Sequence, residues 1–137
     1  MRYGSESARW IPVVVLVGLG TAASAAAQAY DVKVEQKQGI GHYLADANGM
    51  TLYTFKKDAP GKSACTGECT KLWPVFHRDR VSPQGGPQAE NFATIARADG
   101  TNQTTYKGRP LYYFSGDKKP GDTNGQGVAG LWAVATP

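Results

Sequence analysis

Residues 52–61 read L-Y-T-F-K-K-D-A-P-G, and residues 111–121 read L-Y-Y-F-S-G-D-K-K-P-G. An aromatic-rich run ending in an aspartate and then Pro-Gly thus occurs twice. Sliding the chain against itself by 59 residues places Gly49, Leu52, Tyr53, Phe55, Asp58, Leu72, Trp73 and Val75 on Gly108, Leu111, Tyr112, Phe114, Asp117, Leu131, Trp132 and Val134. These are eight identities in 27 ungapped positions, where average residue usage gives about one or two, and they include tryptophan, the rarest residue. The chain is internally duplicated, with halves at about 41–76 and 100–135.

Each half carries the same local grammar. Asn48-Gly49 separates H-Y-L-A-D-A from M-T-L-Y-T-F, a two-residue hairpin signal in which both turn positions favour positive φ. Lys107-Gly108 plays the equivalent part more weakly, and Pro110, which donates no ladder hydrogen bond, suits an edge or the start of a strand. Period-two alternation puts Tyr53 and Phe55 on one face with Leu52 on the other, and likewise Tyr112 and Phe114, so the aromatic pairs are expected to line one buried layer. Further strands are expected over 92–97, 101–106 and 131–135, a helical turn over 69–73 ended by Pro74, and loops over 79–90 and 115–130. The expected fold is all-β and mainly antiparallel, a small domain of two pseudo-symmetric repeats with long loops and one short helical turn.

Working outward, Arg2 and Arg9 precede an apolar run from Trp10 to Ala27, and Ala27-Gln28-Ala29 is a small-x-small cleavage site. Residues 1–29 read as a signal peptide; the strongly apolar stretch, Ile11 to Leu19, is short for a bilayer span. Cleavage leaves residues 30–137, a length suited to a single domain with a modest core. The net charge of +4 falls by one when Arg2, Arg9 and Glu6 leave, and the remaining cations are scattered among acidic residues, without the basic stripe that nucleic acid requires.

Cys65 and Cys69 are the only cysteines, and in an oxidising compartment C-T-G-E-C is most simply a short-range disulfide. The spacing is neither the C-x-x-C of redox enzymes nor C-x-x-C-H, and His77 would bring the set to only three zinc ligands, so neither a metal nor a cofactor is expected. A redox-active pair is the competing reading.

Tyr53-Thr-Phe55-Lys-Lys-Asp58 and Tyr112-Tyr-Phe114-Ser-Gly-Asp117 both fit Y-x-[FWY]-x-x-D. Together with G-M-T-L-Y-T-F, the C-x-x-x-C followed by L-W-P, and G-R-P-L-Y-Y-F with a closing G-L-W, they make the chain resemble the bacterial secreted-repeat family described as predicted lipoproteins with a conserved Yx(FWY)xxD motif. The resemblance covers roughly residues 41–135 and implies an envelope location and this fold, but no established activity and no catalytic residue. It departs at the lipid anchor: this chain has no cysteine before residue 65.

Asp58 and Asp117 invite comparison with a glycosidase carboxylate pair, but each follows a strand and precedes Pro-Gly, where an aspartate accepts turn N–H groups. Residues 121–130 lack the Gly-Lys-Ser/Thr ending of a P-loop, Asp46-Ala-Asn48-Gly49 is too short for a calcium loop, and no G-x-S-x-G elbow is present. His42 and His77 are isolated histidines beside strands. Trp73 and Trp132 could stack on a ligand, but their equivalent places favour core packing. The sequence therefore points to a periplasmic or secreted, non-enzymatic module whose partner is an envelope protein or a small ligand. The alternative is a periplasmic redox or electron-transfer accessory using Cys65/Cys69 or the aromatic cluster.

Overall fold

The computed structural model describes residues 4, 12–15, 18 and 29–137. The leader expected over residues 1–29 lies almost wholly outside the described residues, and no helix among those described is long and apolar enough to cross a membrane.

Each half opens with an antiparallel hairpin. β1 (Val32–Lys37) pairs with β2 (Gly41–Asp46), Val32 opposite Asp46, and β5 (Phe92–Ala96) pairs with β6 (Asn102–Tyr106), Phe92 opposite Tyr106. β1 alternates V-K-V-E, which buries Val32 and half-buries Val34. The stretch read as a loop over 79–90 contains β4 (Pro83–Gln84), which runs parallel to β1, and a 3-10 turn at Ala89–Asn91. Two residues are too few for periodicity to register; the Asp31 carboxylate accepting from the Ser82 N–H, and the Asp31 N–H donating to the Ser82 carbonyl, hold them in place.

The turns after the hairpins differ from expectation in an instructive way. After β2, Gly49 has φ +86° but Asn48 does not have positive φ. The Asp46 carboxylate instead accepts the N–H groups of Asn48 and Met50, both at 2.9 Å, and so shapes a three-residue loop. The weaker signal is the one that makes the two-residue turn: Lys107 (φ 51°) and Gly108 (φ 80°) join β6 to β7 (Arg109–Pro110), with Tyr106 opposite Arg109.

Beyond the turns the halves exchange strands. β3 (Tyr53–Phe55) pairs antiparallel with β8 (Trp132–Val134), Tyr53 opposite Val134 and Phe55 opposite Trp132. The equivalent exchange is a bridge between Tyr112 and Val75. Between these pairings Tyr53 and Tyr112 face each other, each N–H donating to the other's carbonyl at 2.8 and 3.0 Å. A pseudo-two-fold axis therefore passes between the two motif tyrosines.

The strands separate two cores. Leu52 and Leu111 lie with Val32, Leu44, Phe76, Val81, Tyr106 and Ala135 in one. Tyr53, Tyr112, Trp73, Trp132, Tyr43, Ala45, Cys65 and Val134 form the other, with Phe55 and Phe114 packed against it. This is the alternation read from the sequence. The helical turn is α1 (Glu68–Leu72), with Trp73 as its C-terminal cap immediately before Pro74.

Candidate functional site

The duplicated motif is a reciprocal clamp between the halves. The Tyr53 hydroxyl donates to Asp117 Oδ2 at 2.6 Å, and the Tyr112 hydroxyl donates to Asp58 Oδ2 at 2.8 Å. Each motif tyrosine thus reaches the aspartate of the other copy. The second carboxylate oxygens are filled by backbone: Ala64 N–H donates to Asp58 Oδ1 at 2.6 Å, and Asn124 N–H to Asp117 Oδ1 at 2.9 Å. Pro-Gly extends the exchange, since the Gly61 N–H donates to the Gly108 carbonyl and the Gly121 N–H to the Gly49 carbonyl.

Between the tyrosines runs a stack of four rings in the order Phe55, Trp132, Trp73, Phe114. The centroid separations are 4.3, 3.7 and 4.4 Å, and the central tryptophans are parallel to within 2°. Tyr53 and Tyr112 meet Trp73 and Trp132 edge-on, at 5.5 and 5.1 Å. Trp73 and Trp132 are only 4% and 5% exposed, so their faces are spent on each other and on the phenylalanines.

Burial sets the ionisation of this cluster. It raises the Tyr53 hydroxyl well above its ordinary value, and pushes Tyr112 up to about 12 against the smaller opposing effect of the Ser63 hydrogen bond. Burial also raises Asp58, offset in part by the hydrogen bonds from Ala64 and Tyr112. Tyr113, outside the repeat identities, donates to the buried Asp46 at 2.7 Å, and its hydroxyl is likewise raised by burial.

The surroundings of the two clamps have diverged. Beside Tyr112, Cys65 and Cys69 form a disulfide with Cα atoms 5.3 Å apart; Cys65 is fully buried. Arg97, 7% exposed, donates to Ser63 Oγ and Gln103 Oε1, both at 2.7 Å, and to the Cys65 carbonyl. Ser63 lies 2.5 Å from the Tyr112 hydroxyl, which gives a continuous path Arg97–Ser63–Tyr112–Asp58. Beside Tyr53 the Gly125 N–H takes that place, at 3.1 Å. A Cβ on Gly125 would lie 2.7 Å from the Tyr53 ring and 2.9 Å from Trp73, so only glycine fits.

Sequence reasoning named the tyrosines, aspartates, tryptophans and cysteines, but not Arg97, Ser63 or Gln103. Arg97 directly follows β5, an otherwise ordinary strand, and carried no signal; the repeated Pro-Gly was visible. His77 Nε2 sits 2.9 Å from the exposed Asp79, and His42 is exposed. Neither joins the clamp.

Comparison with known proteins gives one finding. A family model described as a secreted repeat of unknown function matches residues 36–77 and 93–136. The matched segments begin earlier than the identities do, within β1 and β5, the first strands of the two hairpins. No curated protein and no solved structure matches the chain.

Proposed function

Within the secreted-repeat family of unknown function, to which this chain belongs, we propose that the protein is an exported cell-envelope module that binds or scaffolds rather than catalyses. The reading rests on one observation: every side chain of the repeated motif is engaged by its counterpart half. Both carboxylates that would serve as acid and base have all their oxygens in internal hydrogen bonds, and both tryptophans have their faces covered. A motif that closes the fold leaves ligand contact to the surface around it. The apolar leader with Ala27-Gln28-Ala29 supports export to the periplasm or beyond, and intact mass of the exported protein checks it: the chain should begin at Tyr30.

Thermal shift against a panel of envelope-derived small molecules and peptides tests the binding reading, since a ligand at about 100 times its Kd stabilises by about 2.7 kcal/mol. Recovery of the panel compounds unchanged by mass spectrometry is expected. Turnover of any of them that Asp58→Asn or Asp117→Asn abolishes in a still-folded protein would overturn the reading.

One observation favours a redox accessory as the second reading: the unbroken four-ring stack is met edge-on at its central tryptophans by two tyrosines whose hydroxyls donate to carboxylates. A Cys65–Cys69 reduction potential well above about −300 mV would promote it, and a lower one marks a structural bridge.

A further inference from the structure

The pseudo-symmetry builds two equivalent surfaces beside the clamps, and they differ in where their charged side chains sit. Next to β3 lies a cavity of about 360 Å³, of the size that accepts small ligands, lined by Thr54, Phe55, Lys56, Pro60, Lys107 and Arg109 among others. Phe55, the terminal ring of the stack, joins Pro60 and Ala133 in an apolar wall, with the buried Pro110 behind it. Lys56, Lys107 and Arg109 bring three cations to the rim, from β3's end and the β6–β7 turn. Among the described residues none of the three forms an ion pair; Lys107 lies 5.2 Å over the Tyr106 ring. Asp58 is the one acidic residue lining the cavity, and both its oxygens are taken by Ala64 and Tyr112.

The positions 59 residues away serve as an internal control. Lys56, Lys107 and Arg109 correspond to Ser115, Asn48 and Met50, and Thr54 corresponds to Tyr113, whose hydroxyl is tied to Asp46. All three cations are therefore absent from those positions in the second copy, although the strand, the turn and the aspartate are repeated; its own lysines, Lys118 and Lys119, stand where the cavity has Ala59 and Pro60, and Lys118 Nζ is tied to the Ser115 carbonyl. A side chain needed to close the fold recurs in both halves, as Tyr53 and Tyr112 do. One needed for a ligand is required once.

We propose that this cavity is a binding site for a small organic anion, a carboxylate or phosphate carried on an apolar, ring-bearing body. The body lies against Phe55 and Pro60, and the charge is met by Lys56, Lys107 and Arg109. The glycine of the Lys107-Gly108 turn keeps that rim close to Pro60, 3.6 Å from where a Cβ would stand. The proposal deepens the binding reading above and rests on it.

Titration of the purified exported protein with 2-naphthoate, followed by backbone amide NMR, is the test, with neutral 2-naphthamide as the isosteric probe. Naphthoate should give saturable shifts at Thr54–Lys56 and Lys107–Arg109, with affinity at least about tenfold above that of the amide and falling as salt rises. Lys56→Glu with Arg109→Glu should weaken naphthoate by at least about tenfold, and Lys118→Glu with Lys119→Glu by less than about twofold. All four side chains are exposed, so melting temperatures should stay at wild type. Equal binding of acid and amide, shifts confined to other surfaces, or full affinity in the folded Lys56→Glu/Arg109→Glu variant would overturn the proposal. Stabilisation by some other panel compound without naphthoate binding would sink this site and leave the binding reading standing, whereas Asp58-dependent turnover would sink that reading itself.

Discussion

Tyr53→Phe and Tyr112→Phe remove one oxygen each from symmetry-related places, yet they should not cost the same. The Tyr53 hydroxyl donates to Asp117 and accepts from the Gly125 N–H, and Asp117 is only 7% exposed. Phenylalanine leaves a buried carboxylate oxygen and a buried N–H without partners. A hydrogen bond to a charged group is worth about 1.5–3 kcal/mol and an orphaned buried donor about 1 kcal/mol or more, so about 3 kcal/mol is expected. Asp58 is half-buried, and Ser63 keeps its bond from Arg97 when the Tyr112 hydroxyl goes. Water can reach the freed carboxylate oxygen, and about 1–1.5 kcal/mol is expected. Urea unfolding followed by circular dichroism gives both values, and the melting temperatures should fall by about 10 °C and about 5 °C for a domain of this size. The double variant should depart from additivity, because the two tyrosines share a backbone pairing across the axis. If both variants melt within about 1 °C of wild type, or if Tyr112→Phe is the costlier change, the clamp does not hold the halves together through these two hydroxyls.

Three further outcomes follow from the same geometry. Trp73→Ala or Trp132→Ala breaks the stack at its centre and should cost about 3–5 kcal/mol; an unchanged melting temperature would mean that the tryptophans are not a shared core. The native protein should show no titratable thiol, and Cys65→Ser with Cys69→Ser should fold with stability lowered by about 2 kcal/mol, the chain-entropy value for a five-residue loop. Because burial raises the Tyr53, Tyr112 and Tyr113 hydroxyls above 10.0 in the folded state, their stabilising contribution is complete below pH 10 and is lost as pH rises through the folded values. For Tyr112, raised to about 12, the loss is about 2 kcal/mol by pH 12, so Tyr112→Phe should flatten the fall in stability between pH 10 and 12, and an unaltered slope would contradict the assignment.

Equivalence was legible in the sequence and partnership was not. The 59-residue spacing identified Tyr53 with Tyr112 and Asp58 with Asp117, and the period-two pattern put Leu52 and Tyr53 on opposite faces, as the two cores have them. A repeat match says which residues play the same part; it is silent on whether each meets its own copy or the other. That choice is made in three dimensions, where β3 finds β8 rather than residues 73–75 of its own half. Arg97 illustrates a second limit. Its bonds reach residues 63, 65 and 103, and its own neighbourhood, F-A-T-I-A-R, reads as a surface-edge strand. β4 is a third: it exists only because β1 is beside it.

Where the halves have diverged, the pattern follows which atoms supply each bond. Asp58 and Asp117 both accept a backbone N–H, from Ala64 and from Asn124, and an N–H can be presented by any chain that takes the right path. One half takes that path into a disulfide-closed helical turn, and the other into a glycine-rich loop that passes under Tyr53 at Gly125. By contrast, the bonds and ring contacts made by Tyr53, Phe55, Asp58 and Trp73 need particular side chains, and those are the residues found again at 112, 114, 117 and 132. Gly49 and Gly108 recur for a backbone reason, positive φ at a turn that receives the other half's Pro-Gly. Leu72 is the exception, 59% exposed and matched by a packed Leu131, and nothing in the structure explains its recurrence. Each half thus supplies a complete set of contacts that only the other half can use. A single half would leave its tyrosine hydroxyl, aspartate and tryptophan face unpartnered together, a cost well beyond what a fragment of that length can bear.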